Sequence, residues 1–137
     1  MVKDSNVEHL VKIDSAGTHN YHAGEAPDPR AQLAAKKRNI DLSMLRARQI
    51  TQDDFRDFDL ILAMDWENLA AMQQMAPRQY QHKLMLMMRF ATDNEEATVP
   101  DPYYGGPEGF EKVISYVSDA CSGLVDVVKK RALQYAA

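Results

Sequence analysis

Residues 58–75 read FDLILAMDWENLAAMQQM, and this stretch decides the class of fold. Every residue from Leu60 to Met64 is apolar, which is typical of a strand that is covered on both faces in a parallel sheet. Asp65 follows as a helix N-cap, and Leu69 and Met72 fall on one face of the helix that comes after it. A buried strand that leads directly into an amphipathic helix predicts a β–α unit.

The same alternation of strands and helices extends to both sides of this unit. It predicts one α/β domain over residues 1–137, built as a doubly wound, open parallel sheet with flanking helices. The further predicted elements are strands over 10–14 (LVKID) and 83–88 (KLMLMM), a helix over 28–40 that Asp28 caps, a short helix that begins at Thr51 with Asp54 three residues on, and an amphipathic helix over 107–131.

Composition and charge limit the class of protein. The chain has 137 residues, one cysteine and a net charge of −4. Its basic clusters, 36–38 and 129–131, are short and lie near predicted helix ends, so we expect no nucleic-acid partner. The longest apolar runs, 60–64 and 84–88, are too short to span a bilayer, so we expect no membrane segment. A single cysteine and an N-terminus without an apolar signal sequence lead us to expect a cytoplasmic protein.

The loop over residues 98–106, TVPDPYYGG, combines turn residues with groups that can take part in chemistry. Its prolines and paired glycines suit a surface turn, but a turn does not require an acid beside two tyrosines. A site that receives an aromatic substrate and donates a proton to it would use all of these residues. The residues of this loop alone are compatible with both a plain surface loop and an acid-bearing substrate loop.

Five motifs occur together in an order and at intervals that are known from one family. Because of them the chain resembles the low-molecular-weight protein-tyrosine phosphatases, especially the bacterial ones, over residues 7–131. The resemblance implies a small cytoplasmic α/β enzyme that hydrolyses phosphotyrosine without a metal or other cofactor. A cysteine thiolate attacks phosphorus, and water then cleaves the phosphocysteine. The motifs are IDSAGT (13–18), PDPRA (27–31), RARQIT (46–51), FDLILAMDWEN (58–68) and PDPYYGG (100–106).

The resemblance also implies roles for individual residues. It makes Asp101 the general acid that protonates the leaving phenolate. Tyr103 and Tyr104 would line the mouth of the cleft and flank the phenyl ring, and Ser15 would hydrogen-bond the phosphate-binding loop from behind. The implied substrate is a phosphotyrosine protein, and a bacterial tyrosine kinase is one candidate. Two further residues match family positions near the site, Asp65 and Asn68.

The nucleophile motif of the family, C-x₅-R after the first strand, has no counterpart in these 137 residues. Cys121 is followed six residues later by Val127 instead of arginine. It also falls on the apolar face of the last predicted helix, so we expect a buried structural thiol. His19 and His22 lie in a loop without a carboxylate at helical spacing, so we expect surface histidines and no metal site.

A missing first strand would leave a gap, because the family's sheet has the order 2-1-3-4 with the first strand inside. Either the natural product is longer and carries C-x₅-R, or the chain closes the gap by pairing 10–14 with 59–64 or by forming a homo-oligomer. The first functional hypothesis is therefore a protein-tyrosine phosphatase whose 137 residues are inactive alone. The second is a noncatalytic phosphatase-like scaffold or interaction protein. Arsenate reduction on the same fold needs several cysteines and is set aside.

Overall fold

The fold is a parallel sheet with helices on both faces. The computed structural model describes residues 11–19, 21–100 and 106–136, with the side chains of 108–131 in the last range. The two strands pair in parallel, with Ile61 opposite Leu84 and Ala63 opposite Leu86, which confirms the predicted α/β class. The elements are α1 (Pro29–Lys36), α2 (Gln52–Asp57), β1 (Ile61–Ala63), α3 (Trp66–Met75), a first 3₁₀ helix (Arg78–Lys83), β2 (Leu84–Leu86), a second 3₁₀ helix (Met87–Phe90) and α4 (Gly106–Ala136).

Successive residues of β1 pack on opposite faces of the sheet. Ile61 and Ala63 contact a core cluster that contains Phe55 of α2 and Met72 of α3. Leu62, between them, contacts a second cluster, to which α4 contributes Tyr116 and Ala120. Because strand side chains alternate between faces, β1 is covered on both of them, as the apolar run predicts. This double cover is what holds the carboxyl end of β1 in place.

Three helices begin at the caps that the sequence predicts. At Asp28 and Asp65 the cap side chain accepts a hydrogen bond from a backbone N–H group that has no partner inside the helix, and at Thr51 the side chain of Asp54 accepts from the amide of the cap residue. The bonds run from the amide of Arg30 to Asp28 (2.8 Å), between Thr51 and Asp54 in a reciprocal capping box (2.8 Å from the amide of Thr51), and from the amide of Asn68 to Asp65 (2.8 Å).

The predicted strand over 10–14 is wrong for the residues that the structure describes. Residues 11–14 form no strand, and Ile13 is 70% exposed; Leu10 lies outside the described residues. In the loop that follows, Gly17 and Gln49 form an isolated parallel bridge. Pairing of 11–14 with β1, one of the two ways of closing the sheet, is therefore not the arrangement that this part of the chain adopts.

Several element boundaries also differ from the prediction: β1 is a strand only over Ile61–Ala63, and α4 runs on to Ala136. The predicted strand over 83–88 is a strand only over Leu84–Leu86, and the chain continues as a 3₁₀ helix that buries both Met87 and Met88. Helix α1 ends at Lys36, because Asn39 adopts a left-handed conformation with φ 62°. A left-handed residue ends a helix, and asparagine tolerates that conformation better than most residues.

Helix α4 crosses the second 3₁₀ helix and α1. Its Gly123 comes so close to that 3₁₀ helix that a Cβ added there would lie 1.8 Å from the carbonyl oxygen of Phe90. On the α1 side, the guanidinium of Arg38 donates to Oγ of Ser115 at 2.8 Å. Among the described residues no helix is both long and apolar enough to cross a membrane.

Candidate active site

The carboxyl end of β1 is the point where the predicted acid loop returns to the sheet. The amide of Val99 donates to the carbonyl oxygen of Met64 at 2.7 Å, and the Val99 side chain is buried. Asp65, the next residue after Met64, begins α3 as its N-cap. In open α/β sheets, ligands bind outside the carboxyl ends of the strands. The chain just before Asp101 is therefore fixed at the edge where a ligand site is expected.

A cavity of about 420 Å³ opens beside the first turn of α3. Ser15 and Thr18, from the loop that precedes α1, line this cavity together with Asn68 of α3. Nδ2 of Asn68 lies 3.5 Å from Oγ1 of Thr18, which joins the loop to the helix. Two residues that the sequence singles out, Ser15 and Asn68, thus border one cavity. Its other charged or aromatic lining residues are His19, Tyr21, His22, Arg46 and Arg48.

Backbone hydrogen bonds hold residues 17, 24 and 25 of the loop before α1 against residues 46–50. Gly24 has φ +85°, a left-handed conformation that favours glycine. Its amide donates a hydrogen bond to Ala47 in the second segment. The two segments therefore form one wall of the cavity, although neither is a regular strand. The bonds run from Gly17 N to Arg48 O (2.8 Å), from Ile50 N to Gly17 O (2.9 Å), from Gly24 N to Ala47 O (2.7 Å) and from Ala47 N to Glu25 O (2.8 Å).

Arg48 joins three parts of the chain from within this wall. Its guanidinium donates to both oxygens of Asp54, at 2.9 and 3.0 Å, and lies 3.1 Å from Asp14. The hydrogen bond from Arg48 is the main reason that the pKa of Asp54 falls below its usual value. Bonding to Asp54 in turn raises the pKa of Arg48, against the opposing effect of burial. Arg48 thus fixes the segment before Ser15 to the start of α2.

Charged groups of both signs surround the cavity, since Arg48 is paired with the carboxylates of Asp14 and Asp54. Arg46 and Arg48 both line it, and Arg46 donates to the carbonyl oxygens of Ser43 (2.8 Å) and Leu45 (2.6 Å). The two lining histidines, both exposed, lie near carboxylates: His19 is 3.9 Å from Glu67 and His22 is 2.9 Å from Glu25. Among the described residues, no three His, Cys, Asp or Glu side chains lie together in a way that could hold a metal ion.

The three residues of the predicted acid loop, Asp101, Tyr103 and Tyr104, lie outside the described residues, and their roles stay predictions. Ser15 is described: it is exposed, borders the cavity, and its amide donates to Asp14 at 2.8 Å. The structure therefore places Ser15 in the cavity beside Asn68 of α3, and the start of the segment that leads to Asp101 at the end of β1.

Cys121 lies in the core contact between α4 and the second 3₁₀ helix. It is partly buried and packs against the cluster that contains Met87, Met88 and Tyr116. Burial raises the pKa of its thiol above the ordinary value. A catalytic cysteine needs the opposite shift, because the thiolate is the nucleophile. The surroundings of Cys121 therefore suit a structural residue.

Sequence patterns do not predict two features of this region. Arg46 and Arg48 belong to the RARQIT motif, but nothing in that motif shows that both line a cavity with Ser15. The second feature is Asp119 of α4, whose carboxylate binds the chain ahead of the acid loop. Its contacts lie 25–27 residues away in sequence, so no local pattern indicates them.

The structure is an α/β fold with a cavity beside the first turn of α3, the helix that follows the parallel strand β1. A sequence profile described as "Low molecular weight phosphotyrosine protein phosphatase" matches residues 1–134. The chain belongs to this family, whose members are protein-tyrosine phosphatases.

Individual relatives agree with this assignment. A Synechocystis sp. protein that carries the low molecular weight protein-tyrosine-phosphatase name is 44% identical over 88% of this chain and 76% of its own length. The low molecular weight protein-tyrosine-phosphatase of Streptomyces coelicolor is 36% identical over 95% of this chain and 80% of its own. A crystal structure of protein tyrosine phosphatase from Entamoeba histolytica superposes with a TM-score of 0.91 at 34% identity, covering 96% of this chain and 83% of that one.

Proposed function

We propose that this protein handles phosphotyrosine at the cavity beside α3, with Asp101 as general acid, Tyr103 and Tyr104 as walls for the phenyl ring, and Ser15 as support for the phosphate-binding backbone. The observation that carries the proposal is the hydrogen bond from Val99 to Met64, which fixes the chain two residues ahead of Asp101 at the carboxyl end of β1. The phosphotyrosine specificity follows from the family.

The proposed acid has a defined chemical task. When phosphorus leaves the tyrosine oxygen, a phenolate forms, and this is a poor leaving group unless a proton reaches it in the transition state. A protonated Asp101 supplies that proton, and the resulting carboxylate can then take a proton from the water that cleaves the covalent intermediate. Such acid catalysis is worth about 10²–10⁴-fold in rate.

The nucleophile is absent from these 137 residues. The sole cysteine, Cys121, has a pKa raised by burial and lacks an arginine six residues on. We therefore propose that the 137-residue chain alone does not hydrolyse aryl phosphates. A test of the acid loop consequently needs a nucleophile from elsewhere, such as the first strand and C-x₅-R segment of a relative joined ahead of residue 1.

The test uses this chimera with two substrates. Phenyl phosphate has a leaving group as basic as tyrosine, whereas the leaving group of p-nitrophenyl phosphate is stabilised without a proton. Asp101→Asn should slow phenyl phosphate hydrolysis by about 10²-fold or more and slow p-nitrophenyl phosphate much less. Asp126→Asn, an exposed carboxylate on α4, is the matched control and should change neither rate. If Asp101→Asn slows both substrates equally, Asp101 is not the general acid.

The noncatalytic alternative rests on one sequence observation, the absence of C-x₅-R. It predicts that the chimera folds and yet remains inactive on both substrates. The same alternative includes a homo-oligomer, for which the exposed apolar side chains of Ile13 and Trp66, exposed by 70% and 61%, offer contact surface. Sedimentation of the 137-residue chain decides this point: a dimer or larger species supports it, and a monomer at all concentrations rejects it.

Two finer parts of the proposal concern the protein's surroundings. A phosphorylated bacterial tyrosine kinase is the proposed substrate protein, and the active chimera should remove phosphate from such a kinase faster than from a scrambled phosphotyrosine peptide. A cytoplasmic location is proposed because a single cysteine gives the chain no internal disulfide. Fractionation of cells that express the natural gene tests the location, and recovery outside the cytoplasm would reject it.

A further inference from the structure

The carboxylate of Asp119, on α4, collects the polar groups of three consecutive residues that precede the acid loop. Its Oδ1 accepts from the amide of Thr92 at 2.9 Å and from the hydroxyl of the same residue at 3.2 Å. Its Oδ2 accepts from the amides of Asp93 at 3.0 Å and Asn94 at 2.9 Å. The side-chain amide of Asn94 adds a further bond to Oδ2 at 2.9 Å. Five donors on one side chain is far more than a helix surface position requires.

The chemistry of these contacts requires a carboxylate. An ionised carboxyl group accepts at both oxygens and donates at neither, so it matches a set of donors that all point at it. These bonds lower the pKa of Asp119 to about 2, and the bond from the amide of Thr92 has the largest effect. The group is therefore ionised at neutral pH and makes all five contacts at once. An asparagine would present one acceptor oxygen and one donor group.

Asp119 does not act alone on this face of α4. Gly123, one turn further along, approaches the carbonyl oxygen of Phe90. One turn earlier, Tyr116 packs in the same cluster as Met87 and Met88. Three successive turns of α4 thus hold the chain from Met87 to Asn94, and Asp119 provides the polar part of that contact. The segment is fixed to α4 as far as Asn94.

The far end of this segment is fixed as well. Val99 is buried in the cluster that α4 lines, and its amide is bonded to Met64 at the end of β1. Between Asn94 and Val99 only four residues intervene, three of them exposed (Glu95, Glu96 and Ala97). The Asp119 contact therefore limits where the chain can go before it reaches the sheet. The acid loop starts immediately after this point and ends where α4 begins at Gly106.

We propose that Asp119 is a positioning residue for the acid loop: by binding the amides of residues 92–94, it fixes the segment that leads through Val99 to Asp101. The inference rests on the proposed role of Asp101 as general acid. It assigns a task in the reaction to a residue that touches neither the cavity nor the proposed substrate, and that lies 18 residues further along the chain than Asp101.

The first test uses amide hydrogen exchange and backbone relaxation on the whole 137-residue chain. Asp119→Asn should speed exchange at the amides of residues 92–94 by about tenfold or more, the factor expected from loss of one charge-assisted hydrogen bond. It should also increase motion across 95–105, while exchange at Leu62 in β1 stays unchanged. Asn94→Ala, which removes one donor and leaves the carboxylate, should give the same pattern with a smaller effect. Asp126→Asn, exposed on the same helix, is the control.

Two results would overturn the positioning role. Faster exchange at Leu62 in step with residues 92–94 would show that Asp119 contributes only to global stability. Unchanged motion over 95–105 in Asp119→Asn would show that the contact does not reach the acid loop.

A second test separates this inference from the proposed function. In the phosphatase chimera, Asp119→Asn should lower kcat for phenyl phosphate by about tenfold and leave KM unchanged, because binding does not depend on the acid. If Asp101→Asn has no effect there, the proposed function fails. If Asp101→Asn abolishes turnover and Asp119→Asn leaves kcat intact, the positioning role alone fails. Asp119→Glu, which keeps the charge, should recover part of the lost rate.

Discussion

Gly123 offers a direct measure of how tightly α4 is held against the second 3₁₀ helix. A methyl group added at this residue would lie 1.8 Å from the carbonyl oxygen of Phe90 and 3.0 Å from its carbonyl carbon. Ordinary contact begins near 3.4 Å, so α4 would have to move by about 1.6 Å. Both opposing atoms belong to the backbone and cannot rotate away, so the movement has to separate the helix from its core contacts.

The free energies of the change Gly123→Ala have opposite signs. Replacing glycine by alanine inside a helix stabilises it by about 1 kcal/mol. Overpacking a well-packed contact costs about 1–3 kcal/mol, and this contact belongs at the upper end of that range because only backbone atoms oppose the methyl group. We therefore expect a net loss of about 2 kcal/mol in the free energy of unfolding. Without the contact, the same change would be a gain.

Urea unfolding followed by far-UV circular dichroism measures this difference. Gly123→Ala should lower the midpoint with little change in the slope m, because the change affects stability and not the surface exposed. Ser122→Ala, an exposed neighbour on the same helix, is the control and should leave the midpoint equal or slightly higher. A midpoint that rises in Gly123→Ala would refute the close approach of α4 to Phe90, and with it one of the three turns that hold residues 87–94.

Three further predictions concern single contacts. The pKa of Asp54 and the pKa of Asp119, which is about 2, both lie below the values in the unfolded chain. The stability that the two carboxylates provide is therefore complete above about pH 4 and is lost as the pH falls towards 2. Asp119→Asn should make the urea midpoint depend less on pH in this acid range. Asn39 has a φ of 62°, which valine adopts only with strain. In thermal unfolding, Asn39→Val should therefore destabilise the chain by about 1–2 kcal/mol, and Asn39→Gly should not destabilise it. Lys83→Met should lower the free energy of unfolding, measured in urea, by about 1 kcal/mol, because Nζ of Lys83 donates to the carbonyl oxygen of Phe55 at 2.8 Å. An unchanged urea midpoint would show that water replaces this hydrogen bond.

The helix starts could be predicted from the sequence because their causes are local. Asp65 and Asn68 are three residues apart, and so are Thr51 and Asp54; a cap needs only the conformation of one turn. The apolar run around Leu62 likewise predicts a doubly covered strand, since its side chains face both clusters in the structure. These elements follow from side-chain chemistry within a few residues.

The predicted strand over 10–14 fails for the opposite reason. A strand exists only when a partner supplies hydrogen bonds along its edge, and apolar content does not ensure that partner. Residues 11–14 have no ladder among the described residues, and Ile13 is exposed. The contacts of Asp119 and of Arg48 with Asp14 were missed for a related reason, because they join segments 25–34 residues apart. Such contacts depend on how the elements pack, and no short pattern encodes them.

The central proposal is that the 137 residues hold the acid side of a phosphotyrosine site and no thiolate that can attack phosphorus. Steady-state hydrolysis of p-nitrophenyl phosphate by the purified chain, measured beside Cys121→Ser over mildly acidic to neutral pH, tests it most directly. We predict no turnover above the buffer rate and no difference between the two proteins. Turnover by the chain that disappears in Cys121→Ser would contradict the account.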